Sequence, residues 1–235
     1  MELETISEYD TQHPRVSGPI TLKHSRTFAV GVDVGQAHDP TAICVASRIV
    51  TTPLNPVFKD LNPYKHPRYE VAHLERLRLG MPYPVQVDYL EGIMARQPLS
   101  APRARLLVDY TGVGRPVFDL FGQRAALRHA QGVVITGGRE TSATRTGWSV
   151  PKGELVSKLQ ALLHAGDLRI AAGLQDAAVL ARELQDFRVR FTDNGNATFS
   201  AREGAHDDLV LALALAVFGL SRPEPAEALR VAWAR

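Results

Sequence analysis

The stretch "TFAVGVDVGQAHDPTAICVAS", residues 27–47, decides the fold. Its two apolar runs, rich in Val, Ile, Ala and Thr, read as β-strands joined by the turn-forming "QAHDP". The first run carries Asp33 where the pattern calls for an apolar residue, between Gly31 and Gly35. A carboxylate withdrawn from water is costly unless a cation or hydrogen bonds compensate it. A metal, a phosphate-binding turn or a structural hydrogen bond would each supply the reason. The flanking glycines let a ligand approach the backbone closely, which favours a functional acid. Asp39, directly before Pro40, reads instead as a turn former.

Working outward, "RYEVAHLERLRLG" (68–80) is a third strand, so the three runs form an antiparallel meander. The Pro- and Asn-rich "TTPLNPVFKDLNPYKHP" (51–67) is a loop between the second and third strands. "MPYPVQVDYLEGIMARQ" (81–97) has a helical period, with Val85, Tyr89, Ile93 and Met94 as its apolar face. The short runs "ARLLVDY" (104–110) and "GVVITGG" (132–138) enclose the helix of "TGVGRPVFDLFGQRAAL" (111–127). Strand, helix and strand at this spacing make parallel crossovers in an α/β sheet. The meander plus two parallel strands gives a mixed five-stranded sheet flanked by helices. "GGRETSATRTGWS" (137–149) reads as a polar loop. "VPKGELVSKLQALLHAGDLRI" (150–170) reads as a helix with Leu155, Leu159, Leu162 and Leu163 on one face, and "LQDAAVLARELQDF" (174–187) as another. "RVRFTDNGNATFSA" (188–201) is an added hairpin around Asn194 and Gly195. "GAHDDLVLALALAVFGL" (204–220), apolar on every side, is a helix packed deep against the sheet.

The chain of 235 residues is 45% apolar, enough for one substantial core. Residues 1–26 read as a polar leader or linker remnant, 27–220 as the folded domain and 221–235 as a tail. With 27 basic and 25 acidic residues, net charge +2 and a pI near 8.8, charge alone announces no nucleic-acid binder. The single cysteine, Cys44, rules out an intrachain disulfide or a CxxC metal knuckle and reads as buried. No signal peptide opens the sequence, and its longest apolar run, Leu209 to Leu220, is too short to span a bilayer. The expected location is cytoplasmic.

Acids recur at other positions where apolar residues are due. Asp109 closes "LLVD", and Asp207 and Asp208 begin the last apolar helix. If the first strand neighbours the first parallel one, Asp33 and Asp109 lie near the topological switch point, where α/β sheets place their ligands. The final helix can bring Asp207 or Asp208 to the same place. Taken singly, Asp109 could merely open a loop, and Asp207 and Asp208 could merely favour the helix dipole. Convergent carboxylates raise one another's pKa, and divalent cations resolve the conflict. Oxygen donors without Cys or paired His point to Mg²⁺ or Mn²⁺ rather than structural Zn²⁺. Two such ions about 3.5–4 Å apart suit phosphodiester cleavage. His206 reads as a helix-start residue.

In this order, "GVDVGQAHDPTAI", "LLVDYTGVGRPVFDLF", "VPKGELVSKLQALLHAGDLRI" and "GAHDDLVLALALA" resemble the C-terminal nuclease domain of phage terminase large subunits, from about Phe28 to Leu220. The resemblance implies an RNase H-like (RuvC-like) fold and cutting of concatemeric double-stranded DNA with two Mg²⁺ or Mn²⁺ ions during genome packaging. It implies Asp33 and Asp109 as the first two metal-binding carboxylates, with the last from Asp207 or Asp208. It also implies in-line hydrolysis leaving 5′-phosphate and 3′-hydroxyl ends. Implied partners are DNA, a portal protein, the small terminase subunit and an ATPase motor. The chain itself carries no GxxxxGK[ST] phosphate loop, so it is expected to cut DNA without translocating it.

Arg139, Arg145 and Lys152 could hold phosphates if their loop folds over the acids, and Arg188, Arg190 and Arg202 flank the hairpin. Three rival readings remain open at this point. One is an actin-like or sugar-kinase-like ATPase, which also opens with a Gly-flanked strand acid. The others are a Holliday-junction nuclease of the same fold and an inactive packaging assembly module.

Overall fold

Ile20 and Leu22 are wholly buried while Thr21 and Lys23, which alternate with them, are half-exposed. That alternation is a strand signature, and in the computed structural model it extends the first strand well before Arg26. The structure describes residues 2–6, 20–35, 39–55, 60, 62–100, 104–112, 114–186, 188–191, 197–200 and 207–222. β1 (Glu2–Ile6) pairs antiparallel with the opening of β2 (Ile20–Asp33). The stretch read as polar leader therefore contains sheet. β2 pairs antiparallel with β3 (Ala42–Pro53), and β3 with β4 (Arg68–Arg76), which is the expected meander.

α1 (Tyr83–Met94) follows, with Pro84 in its first turn. Its buried face is Gln86, Val87, Leu90, Ile93 and Met94, whereas Val85 and Tyr89 are 49% and 41% exposed. The helix is rotated from the face expected from sequence because Gln86 is drawn inward. Its Nε2 donates to the carbonyls of Gly35 (3.1 Å) and Met81 (2.8 Å).

β5 (Arg105–Asp109) joins β2 in parallel, and α2 (Gly114–Phe121) leads to β6 (Gln131–Thr136), parallel to β5. The segment read as a polar loop contains two strands. β7 (Ser142–Ala143) is antiparallel to β8 (Gly147–Pro151), and β8 is parallel to β6. α3 (Lys152–His164) is shorter than the sequence pattern implied. Gly166, at φ 71°, turns the chain out of the helix, and β9 (Leu168–Ile170) crosses to pair in parallel with β4 at the opposite edge. α4 (Ala177–Asp186), the hairpin β10 (Arg188–Phe191) and β11 (Ala197–Ser200), and α5 (Asp208–Ser221) complete the described elements. The turn at Asn194 and Gly195 lies outside the described residues, as do Arg202 and His206.

Among the described residues the main sheet has nine strands in the order β7-β8-β6-β5-β2-β3-β4-β9, with β1 also on β2. The five-stranded sheet expected from sequence is its centre, β6-β5-β2-β3-β4. Two or three residues, as in β7 and β9, are too few to show a period. One face, bearing Ala29, Cys44, Val71 and Leu107, packs against α3, α4 and α5. The other, bearing Val30, Val32, Ile43, Leu106 and Val108, packs against α1 and α2.

α5 is buried along its whole length from Asp208 to Leu220. It lies so close to β2 that a Cβ on Gly31 would sit 2.0 Å from the Ala212 carbonyl oxygen and 2.5 Å from the Ala216 nitrogen. Gly31 thus admits a helix, not a ligand. Gly35 serves the turn, since a Cβ there would meet the Asp39 carbonyl at 2.1 Å. Its N–H donates to Thr41 Oγ1 (2.9 Å). Asp39, the expected turn residue, has an exposed side chain.

Candidate metal centre

β2, β5, β6 and β8 are mutually parallel, so their C-terminal ends share one edge of the sheet. Val32 pairs with Val108, so Asp33 and Asp109, the next residues on neighbouring strands, end side by side. Two residues on from Gly31 and Leu107, both point to the face covered by α5. The N-terminus of α5, with Asp207 and Asp208, is at the same edge. Lys152, first residue of α3, follows directly from the end of β8.

The electrostatics record this convergence. Burial pushes the Asp33 carboxyl well above the usual carboxylate range, and the charges of Asp109, Asp208 and Asp207 push it further; Lys152 opposes them. The Asp109 carboxyl is also raised, first by burial and then by Asp207. Lys152 and hydrogen bonds from Thr111 counter the rise, including that from the Thr111 N–H to Asp109 Oδ1 (2.7 Å). From sequence, Lys152 reads as a phosphate contact rather than a partner of these acids, but the structure supplies two cationic partners. Lys152 Nζ donates to Asp207 Oδ2 at 2.6 Å. Arg76 lies 3.1 Å from Asp208 Oδ2 and also pairs with Glu183.

Arg76 reaches the site because it ends β4 at the same edge as Asp33. Asp33 pairs with Ala42 and Ala42 with Arg76, which puts all three in one row across the sheet. Its backbone N–H donates to Asp176 Oδ2 (2.8 Å), tying β4 to the entry of α4. Glu183 on α4 is 6% exposed. Burial raises its carboxyl to about 7, against the opposing pull of Arg76 and of the Val210 and Leu209 N–H groups. Sequence reasoning missed Arg76 and Glu183. Each sits in an element whose pattern reads as ordinary, and only the acid on the inward side of "LARELQDF" hinted at the second.

Among the described residues, no three His, Cys, Asp or Glu side chains already form a closed metal-ligand set. Asp207 is held toward Lys152, Asp208 toward Arg76 and Asp109 toward Thr111. The donors are nonetheless all carboxylate oxygens, the charges of Asp109, Asp207 and Asp208 outweigh that of Lys152 at Asp33, and hard divalent cations are the ligands that such donors suit. Arg139 and Arg145 are exposed on the segment between β6 and β8. Arg188 and Arg190 are on β10, their side chains outside the described residues. No helix among the described residues is long and apolar enough to cross a membrane.

No family model matches the chain, and no curated protein matches it significantly. Solved structures do. The magnesium-bound large terminase nuclease from thermophilic phage G20c superposes with a TM-score of 0.53 at 22% identity, covering 81% of this chain and 80% of that one. Another structure of the same nuclease gives 0.51 at 21% identity, over 82% of each chain. Its cobalt-bound form gives 0.50 at 21%, over 81% and 80%. The likeness establishes the fold: this chain has the RNase H-like architecture of the phage large terminase nucleases.

Proposed function

We propose that the protein is a divalent-metal-dependent DNA endonuclease of the terminase type, cleaving concatemeric double-stranded DNA during phage genome packaging. The observation that carries this reading is the meeting of Asp33 and Asp109, on adjacent strand ends, with Asp207 and Asp208 at the start of α5, in mutual electrostatic contact. Magnesium- and cobalt-bound nucleases of the same fold support it.

Asp33, Asp109 and the Asp207–Asp208 pair would hold two Mg²⁺ or Mn²⁺ ions. Bound there, such ions supply Lewis acidity at the scissile phosphate and lower the pKa of water. The chain's own residues do the remaining work. Asp33 and Asp109, at the ends of adjacent buried strands, would give the donor set its two anchored positions. Lys152 neutralises part of the cluster's charge and is placed to exchange Asp207 for a phosphate oxygen. Arg139 and Arg145 would hold the DNA backbone beside it, and Arg188, Arg190 and Arg202 would add to that contact. Such contacts position a duplex without reading its sequence and make affinity fall steeply with salt. Portal protein, small terminase subunit and an ATPase motor are the expected partners, in the host cytoplasm.

Plasmid digestion with Mn²⁺, Mg²⁺ or EDTA tests this, comparing the parent with Asp33→Ala, Asp109→Ala, Asp207→Ala and Asp208→Ala. Cutting that depends on metal and is lost with Asp33 supports the proposal. Metal-dependent cutting that survives the loss of Asp33 refutes the site. Preference for four-way junctions over linear duplex would transfer the same site to a junction nuclease.

A further inference from the structure

An aspartate at the N-cap of a helix ordinarily spends its carboxylate on the N–H groups of the second or third helical residue. Asp207 is the N-cap of α5, yet its side chain makes no capping hydrogen bond. The two donors that it would satisfy, the N–H groups of Leu209 and Val210, instead donate to Glu183 Oε2, at 3.1 Å each. They are buried, so they need an acceptor from the protein itself. With that need met by another helix, the Asp207 carboxylate turns to Lys152 and the acid cluster.

We propose that Glu183 is a positioning residue that caps α5 from α4 and so releases Asp207 to serve as a cation ligand. The inference rests on the metal-centre reading for what Asp207 does once released, but not for the capping itself. Arg76 completes the device. It pairs with Glu183 and contacts Asp208, so that two buried carboxylates at one helix start share a guanidinium. The arrangement resolves a conflict built into "HDD": the residue best placed to cap the helix is also needed at the site.

Two measurements test it. In EDTA, melting of the full chain is compared for Asp207→Ser and Asp207→Ala. Serine caps about as well as aspartate and alanine does not. If Glu183 is the cap, the two variants melt within about 1 °C of each other; if Asp207 caps its own helix, Ala melts roughly 2–4 °C below Ser, and the proposal is overturned. This arm needs no metal and no substitution at Glu183. The second arm measures Mn²⁺ affinity by electron paramagnetic resonance. Glu183→Ala should weaken binding at least about tenfold, as loss of a supporting partner commonly does, while Glu183→Gln, which keeps an oxygen acceptor, should recover most of it. Adding Asp207→Ala to Glu183→Ala should then cost less than about twofold more, because Asp207 has already turned to the vacant cap. Unchanged Mn²⁺ affinity in Glu183→Ala overturns the proposal. A parent protein that binds no Mn²⁺ refutes the metal reading instead and leaves the capping arm to be decided by melting.

Discussion

Gly31→Ala asks how closely α5 must lie on β2. The added Cβ would stand 2.0 Å from the Ala212 carbonyl oxygen, and ordinary contact begins near 3.4 Å. About 1.4 Å must be recovered. Neither neighbour can yield alone: Ala212 O and Ala216 N are backbone atoms of a buried helix, and Gly31 is hydrogen-bonded between β3 and β5. The helix must therefore lift as a body. Overpacking of this kind costs about 1–3 kcal/mol, roughly 3–10 °C in Tm for a chain of this size. The lift also carries Asp207 and Asp208 away from Asp33 and Asp109, and a displacement of about 1 Å can lower catalysis on the order of 100-fold. Differential scanning calorimetry in EDTA and plasmid nicking with Mn²⁺ would be measured on the same preparation. A variant that melts with the parent and nicks at its rate would show that α5 is not seated on Gly31 as described.

Three other outcomes follow from the charges. Asp33→Asn removes a carboxylate that burial and three like charges disfavour, so in EDTA at neutral pH it should gain about 0.5–2 kcal/mol while losing metal-dependent cutting; a lower Tm would contradict the repulsion. Glu183, raised to about 7 from an ordinary 4.5, holds its proton more tightly in the folded protein than in the unfolded chain. Its contribution is therefore fully present below about pH 4.5 and lost as pH rises to about 7, a change on the order of 2–3 kcal/mol that Glu183→Gln should abolish in urea titrations across that window. Arg76→Met strips the guanidinium from Glu183 and Asp208 and should cost about 3–5 kcal/mol at neutral pH, less in acid where the carboxyls protonate; equal losses at pH 5 and 8 would contradict it.

The strands at 27–33, 42–50 and 105–109, and the apolar helix that follows Asp207, were legible because their signals are local. Each is an apolar run bounded by turn residues, and all but 42–50 carry or adjoin an acid where burial should exclude one. The same locality made Asp33, Asp109, Asp207 and Asp208 visible as candidates. It did not reveal why Gly31 is glycine, since the atoms it avoids belong to Ala212 and Ala216, more than 180 residues away in sequence. Nor did it separate Asp207 from Asp208. One faces Lys152 and the other Arg76, and those partners come from α3 and β4. The burial of Ile20 and Leu22, the short edge strands and the rotation of α1 by Gln86 were likewise set by what packs alongside.

The sequence by itself thus determined which segments could be strands and helices and which acids were out of place, because periodicity and the cost of burying charge act within a few residues. Only the tertiary structure decided which acids meet, which cations balance them and that Glu183 caps α5 in place of Asp207. Those choices depend on the order of parallel strands and the seating of one helix, which bring residues distant in the chain to a single edge of the sheet.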